Sequence, residues 1–389
     1  MSRRRSPAAP AALAALAAGS LLVAGALAGC GAAPAARPPT PAVPAAPPPL
    51  ETSFADGTGT GWAVVEMGGS AAQNNNFWEL FARAPGSPAW RLVTPAGVAD
   101  NGGLVAAPAG GASLLAGFLP SQDLTFSPLA ATTDSGANWS TAGPVNPALA
   151  GVPDALAAGP GGNLIALTSG GPELGQPGGA AWTRLSTARA LAATPAGQAC
   201  QVTGLTAVAF GAAGAPMLAA GCGRPGVAGI FTRSGGTWHA AGPAVPAALA
   251  REDIEVLRLA TAGPGLVALL RAGTGPDASA VAAWYDGSRW ILSSPLRTGT
   301  VRSTAIGPGA CVGIILNATH AATLAGPGAS WHALPALPRW TATLALGAGG
   351  QVDAIAAHAS TFSDWRLSPS ARWIQEQTIH VTIPYGSSG

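Results

Sequence analysis

The chain carries little charge. Asp, Glu, Lys and Arg make up 9% of its 389 residues, and lysine is absent, so all nineteen basic residues are arginines. Arg3, Arg4 and Arg5 lie in an N-terminal leader, and the rest of the chain sets sixteen arginines against 17 carboxylates. That balance excludes the basic footprint that nucleic acid requires. It equally excludes a polybasic patch for anionic lipid. The missing lysine accompanies heavy use of Ala, Gly, Pro and Arg; it reflects coding-sequence base composition and carries no functional weight. Catalytic signatures are missing too. There is no Gly-x-Ser-x-Gly elbow, no Walker loop, no His-Glu-x-x-His and no Cys-x-x-Cys. The five histidines (His239, His320, His332, His358, His380) are scattered, which points to no metal centre and no metal cofactor. Gly57-Thr-Gly-Thr-Gly61 lacks the following helix that a dinucleotide pyrophosphate needs.

Periodic tryptophan is what the chain does have. Trp90, Trp139, Trp182, Trp238, Trp290, Trp331 and Trp373 recur at steps of 49, 43, 56, 52, 41 and 42 residues, each just after a small or polar turn. Ahead of each lies a small-residue segment, a Gly-rich turn and an apolar segment. Examples are Leu156-Ala-Ala-Gly-Pro-Gly-Gly-Asn-Leu-Ile-Ala-Leu-Thr168 and Thr304-Ala-Ile-Gly-Pro-Gly-Ala-Cys-Val-Gly-Ile-Ile315. Gly and Pro meet the positive or preset φ of a hairpin turn. Small residues suit strands that converge on an axis, and larger β-branched ones suit a sheet packed between two neighbours. A repeat of about 40–50 residues without helical period is the spacing of propeller blades. The fold class expected is all-β, a seven-bladed β-propeller over residues 51–389. Six blades remain the alternative, because the first copy (54–65) is the poorest. The segment Gln377–Tyr385 alternates like a strand that could close the ring.

Residues 1–29 read as an export signal, with Arg3–Arg5 as the positive region and residues 11–26 as the apolar region. They end in Leu27-Ala28-Gly29-Cys30, which resembles the lipobox of bacterial lipoproteins, where cleavage precedes an acylated cysteine. The resemblance implies a lipid on Cys30 and a location on the extracytoplasmic face of a bacterial cell membrane. Residues 30–50 hold eight prolines, which cannot bury a core and favour a polyproline spacer. Of the other cysteines, Cys200 and Cys222 flank one hairpin of the fourth repeat, and an exported location permits a disulfide between them. Cys311 reads as a buried thiol, with a Cys222–Cys311 pairing left open.

One turn carries a more specific resemblance. Thr132-Thr-Asp134-Ser-Gly136-Ala-Asn-Trp139 matches the Asp-box, Ser/Thr-x-Asp-x-Gly-x-x-Trp, and is similar to the repeat of sialidase-like propellers. In that family the box is a hairpin device, so Thr132, Asp134, Gly136 and Trp139 are expected to be structural. Sialidase chemistry would need three arginines on a carboxylate and a tyrosine nucleophile. Only Tyr285 and Tyr385 exist, and neither sits well. Paired-carboxylate hydrolysis has candidates in Asp56, Glu66, Asp100, Asp154 and Asp353, but no spacing singles out a pair. No catalytic residue and no cofactor is therefore assigned. The reading is a lipid-anchored, non-catalytic propeller that binds a protein or carbohydrate ligand with loops at a channel mouth. A sialidase-like hydrolase and a cell-envelope assembly factor are the alternatives. Cys30→Ala should leave an unprocessed or released chain, seen as a loss of membrane retention on fractionation; normal retention with a normal mature mass contradicts the lipid assignment.

Overall fold

The Gly-rich turns shape the architecture. In Gly159–Asn163, Gly307–Cys311 and Gly347–Gln351 the first amide donates to the last carbonyl at 2.8–2.9 Å. The middle glycines Gly161, Gly309 and Gly349 all sit near φ +70°, where a side chain is strained. Each such turn joins a small-residue strand to a larger apolar one. The computed structural model describes residues 51–54, 60–69, 76–95, 103–118, 128–140, 149, 151–177, 179, 181–211, 214–262 and 265–382. The leader, Cys30, the proline spacer, Asp56, Asp100 and Tyr385 lie outside the described residues.

Among the described residues seven antiparallel units follow one another, each beginning with two strands paired as a hairpin. Blade 1 comprises Glu51–Phe54, Gly61–Gly68, Asn76–Arg83 and Arg91–Leu92. Blade 2 is Leu104–Gly110, Ser113–Phe118 and Leu129–Thr132, with a single bridge at Ser140 in the fourth position. Blade 3 runs Pro153–Ala158, Leu164–Thr168, Gly171–Gly175 and Thr183–Arg184. Blade 4 runs Val202–Phe210, Pro216–Cys222, Gly229–Ser234 and Thr237–Ala240. Blade 5 is Ile254–Ala262, Gly265–Ala272, Ser279–Tyr285 and Trp290–Leu292, plus Leu296–Arg297 against its third strand. Blade 6 is Ser303–Ile306, Val312–Ile315, Ala321–Leu324 and His332–Ala333, and blade 7 is Thr341–Leu346, Val352–His358, Thr361–Leu367 and Trp373–His380. The chain is an all-β protein of propeller type, and the poorest repeat is a full four-stranded blade. Two helices, Ala188–Ala192 and Pro195–Cys200, sit in the longest tryptophan step and were not anticipated. Thr187 and Thr194 cap them through their hydroxyls, and Pro195 opens the second.

Every seam between successive blades holds buried apolar residues. Ile230 packs with Val256 between blades 4 and 5, Ala305 with Leu344 between 6 and 7, and Leu115 with Leu164 between 2 and 3. The recurring tryptophans open the outer strands and clasp one blade to the one before. The indole N–H of Trp139 donates to Val93 O (2.7 Å), Trp290 to Ala241 O (2.7 Å), Trp331 to Ser294 O (2.9 Å) and Trp373 to Ala336 O (3.0 Å).

Closure between blades 7 and 1 differs. Trp373–His380 pairs within its own blade, so the two chain ends do not share one. One backbone bridge crosses the seam, from Gly68 N to Ala359 O (2.8 Å), and side chains seal the rest. Phe81 stacks on Phe362 with ring centres 3.9 Å apart, and Trp90 is fully buried beside them. The Gln377 amide both accepts from Trp90 N (2.8 Å) and donates to Trp90 O (2.9 Å). At the centre, the first strands of blades 1 and 6 pair in parallel, Thr52 opposite Thr304. Arg258 of blade 5 donates from one nitrogen to Ser53 O (3.3 Å), Thr304 O (3.2 Å) and the Thr304 hydroxyl (3.1 Å), with its guanidinium over Trp62. Burial pushes that guanidinium down to about 10, so it stays charged at neutral pH. These contacts fill the ground where the sequence suggested a channel mouth.

Because Trp90 is fully buried and Trp331 half-buried, their truncations should differ. Trp90→Ala should cost about 3–5 kcal/mol as a cavity at the closing seam. Trp331→Ala should cost about 1–2 kcal/mol, mostly the indole hydrogen bond. Denaturant unfolding of the two variants checks this, and equal losses would contradict a specially built closure.

Candidate functional site

The sequence-assigned residues are placed as follows. Around Asp134 the turn is tightly bonded. The Thr132 hydroxyl donates to Asp134 Oδ1 (2.7 Å) and accepts from the Gly136 amide (3.0 Å), while Asn138 N donates to Asp134 Oδ1 (2.9 Å) and Asn138 Nδ2 to Oδ2 (2.7 Å). The Asn138 amide, then the Thr132 hydroxyl, hold the Asp134 carboxyl down at about 2. Gly136 sits at φ +83°, and a Cβ there would stand 2.5 Å from Val93 Cβ. Trp139 is half-buried, less enclosed than the sequence implied. In blade 5, in the turn Asp286-Gly-Ser-Arg-Trp290, Asp286 accepts from Ser288 N (2.8 Å) and Arg289 N (2.9 Å), as Asp134 does in its own turn. The Tyr285 hydroxyl donates to Gly287 O within that turn (3.0 Å). Cys200, ending the second helix, and Cys222, ending a blade 4 strand, are joined by a disulfide with Cα atoms 5.0 Å apart. Cys311 is a half-buried free thiol that burial pushes up.

The carboxylates do not gather in an open site. Asp154 sits at a bulge of blade 3, raised by burial. Asp353 is fully buried in the closing seam, held by Arg83 Nη1 (2.7 Å), Arg366 Nε (3.2 Å) and Gln351 Nε2 (2.8 Å). Asp364, which sequence reasoning missed, lies on the next strand with Ile355 and Gln377 as cross-strand partners. Both of its oxygens are buried with no hydrogen-bond partner among the described residues. Burial, then the charge of Asp353, push its carboxyl up to about 7 against the pull of Arg83 and Arg366. Enclosed in the seam, this pair is a structural group. Its discovery required cross-strand register, which the sequence pattern does not carry.

The open site lies elsewhere, in a cleft of about 550 Å³ between blades 6, 7 and 1. Arg302 precedes the first strand of blade 6, and Thr319 comes from that blade's second turn. Arg339 and Trp340 enter blade 7, His358 ends its second strand, and Glu66 ends the second strand of blade 1. Trp340 is 47% exposed and sits at φ +61°. A bulky side chain there costs on the order of 1–2 kcal/mol. The neighbouring backbone imposes it. Trp340 O accepts from Ala357 N (3.1 Å), Thr341 donates through its amide and hydroxyl to Pro338 O, Leu337 N donates to Thr319 O, and a bulge follows at Ala342. His358 lies parallel to the indole at 3.9 Å between ring centres, and the Arg339 guanidinium stands 4.2 Å from it. Glu66 accepts from Asn76 Nδ2 (2.8 Å).

Of twelve tryptophans, seven open outer strands, Trp78, Trp284 and Trp365 stand in third strands, and Trp62 is core. Trp340 has no place in the repeat, and that misfit, nine residues after Trp331, was the available signal. A second cleft of about 250 Å³ between blades 4 and 5 holds Arg271, which is already ion-paired with Glu255. Among the described residues no three His, Cys, Asp or Glu gather as a metal site.

No family model and no curated protein matches the chain. Among solved structures it is similar to streptogramin B lyase, at 10% identity and TM-score 0.46, covering 78% of this chain and 89% of that one. It is also similar to YCF48 from Cyanidioschyzon merolae, at 16% identity and TM-score 0.42, covering 83% and 94%. A third is the six-bladed Aleuria aurantia lectin, at 12% identity and TM-score 0.41, covering 86% and 96%. At such scores these likenesses lend nothing to a functional reading.

Asp364 generates a pH prediction. A carboxyl raised from 3.8 unfolded to about 7 folded contributes stability that is complete below about 4 and is lost as pH rises through about 7. The melting temperature of the wild type should fall between about pH 4 and 7, and Asp364→Asn should flatten that fall. A wild-type profile that is flat or rising across this window contradicts a buried protonated Asp364.

Proposed function

We propose that this chain is a ligand-binding β-propeller, exported and held at the outer face of a membrane through a lipidated Cys30, with the cleft between blades 6, 7 and 1 as its ligand seat. The observation that carries the seat is Trp340. A strained backbone, fixed by hydrogen bonds on both sides, turns an indole 47% exposed into a concave site, with His358 and Arg339 packed against it. Loops and connections on a rigid scaffold are where variable recognition sits. The lipobox and proline spacer support the anchored part of the reading, and the bonded Thr132–Trp139 turn supports kinship with sialidase-like propellers.

Binding fits the cleft better than hydrolysis. Glu66 is its only carboxylate among the described residues, so the paired acid and base of a glycosidase are missing there. Tyr285 belongs to a hairpin turn, with its hydroxyl engaged.

Replacing Trp340 by glycine tests the seat. Glycine accepts φ +61° freely, so relief of strain offsets the lost contacts, and the melting temperature should move by no more than about 3 °C. The mature lipoprotein in detergent, applied to arrays of neutral glycans, acidic glycans and short peptides, should lose its retained probes in the Trp340→Gly variant. A variant that folds and binds like the wild type removes the cleft as the seat.

A further inference from the structure

We infer that the cleft between blades 6, 7 and 1 takes an oxyanion, a carboxylate or phosphate carried on a small polar ligand, gripped by Arg302 and Arg339. This rests on the reading of the cleft as a ligand seat and names the chemistry that fills it.

Charge is scarce in this protein, and most arginines facing a cavity or seam are committed. Arg83 and Arg366 hold Asp353, Arg184 holds Glu173, and Arg271, in the smaller cleft, holds Glu255. Arg302 and Arg339 line one concavity, and neither has an ion-pair partner among the described residues. Facing them is one carboxylate, Glu66, which already accepts from Asn76. Two guanidinium groups against one engaged carboxylate leave the cleft positive.

The geometry also prepares one guanidinium for an anion. Arg339 lies against the Trp340 ring, which restrains a long side chain while leaving N–H donors at its edge. Such an edge matches a carboxylate or phosphate in two parallel hydrogen bonds. The platform itself is held by backbone strain and by His358 stacked on the indole. With Arg339 and His358 both against the ring, little flat indole surface is left for the apolar face of a neutral sugar. The stack serves to aim a cation.

Three probes sharing one skeleton separate the possibilities: glucuronate, glucose 6-phosphate and glucose, titrated calorimetrically into the mature lipoprotein in detergent. At least one of the two anions should bind, and glucose should bind at least about tenfold more weakly. Which anion binds tells carboxylate from phosphate. Raising the salt concentration should weaken the anion. An Arg302→Gln/Arg339→Gln double variant should lose at least about tenfold in affinity with an unchanged melting temperature, since both side chains are exposed.

Glucose binding as tightly as the anions, no binding of either anion, or full anion affinity in the double variant each overturns the oxyanion assignment. The failures are distinguishable. If Trp340→Gly still abolishes glucose binding or retention on an array, the seat stands and only its chemistry is wrong. Anion binding indifferent to both variants takes the seat down as well.

Discussion

A chain of sheets arranged in a ring must bury both faces of every sheet, and the last must therefore meet the first. In this protein that meeting is made largely by side chains. Phe362 stacks on Phe81, Gln377 bonds both backbone groups of Trp90, and Arg83 reaches across to Asp353. The stacked pair contributes about 0.5–1.5 kcal/mol beyond its burial. Where four other seams repeat one device, an indole N–H on the preceding blade's backbone, this one concentrates aromatics and buried charge. Its composition follows from having no continuous backbone across it to fix the spacing.

Burying charge there has a consequence for the rest of the seam. Asp353 is satisfied by two arginines and a glutamine, which leaves Asp364 without donors and raised to about 7. An unpaired buried carboxylate is far costlier than its neutral acid. Protonation of Asp364 removes one of the two negative charges that Arg83 and Arg366 face in the seam.

The repeat was legible because it rests on local chemistry. A hairpin needs positive φ, so glycine returns at Gly161, Gly309 and Gly349, and an outer strand needs its clasp, so tryptophan returns after each turn. The helices at 188–200 were partly legible in the 56-residue tryptophan step and in Thr194-Pro195, a cap followed by a residue suited to the first helical position. What could not be read depends on register and on connections. Asp353 and Asp364 become neighbours only once two strands are aligned, and Arg258 reaches the centre only once blades 1 and 6 pair there. Trp340 and Arg302 lie in segments with no period, so nothing in the pattern marks them except failure to fit it.

The filled centre and the cleft are linked. With Thr52 paired to Thr304 and Arg258 donating to both of their strands, the middle of the blades is committed to backbone and cannot serve as a binding mouth. The larger cleft takes its lining from blades 6, 7 and 1 together, at the turns after their second strands and the entries to the first strands of blades 6 and 7. A ligand held by Arg302 on one blade and Arg339 on the next would bind only while blades 6 and 7 keep their spacing, and the bond from Gly68 N to Ala359 O (2.8 Å) ties blade 7 to blade 1 at the same cleft. By mass action such a ligand favours the closed arrangement over any loosened one. Recognition and closure thus meet at the same blades while drawing on different side chains, the closing aromatics and Asp353 on one side and the cleft arginines on the other.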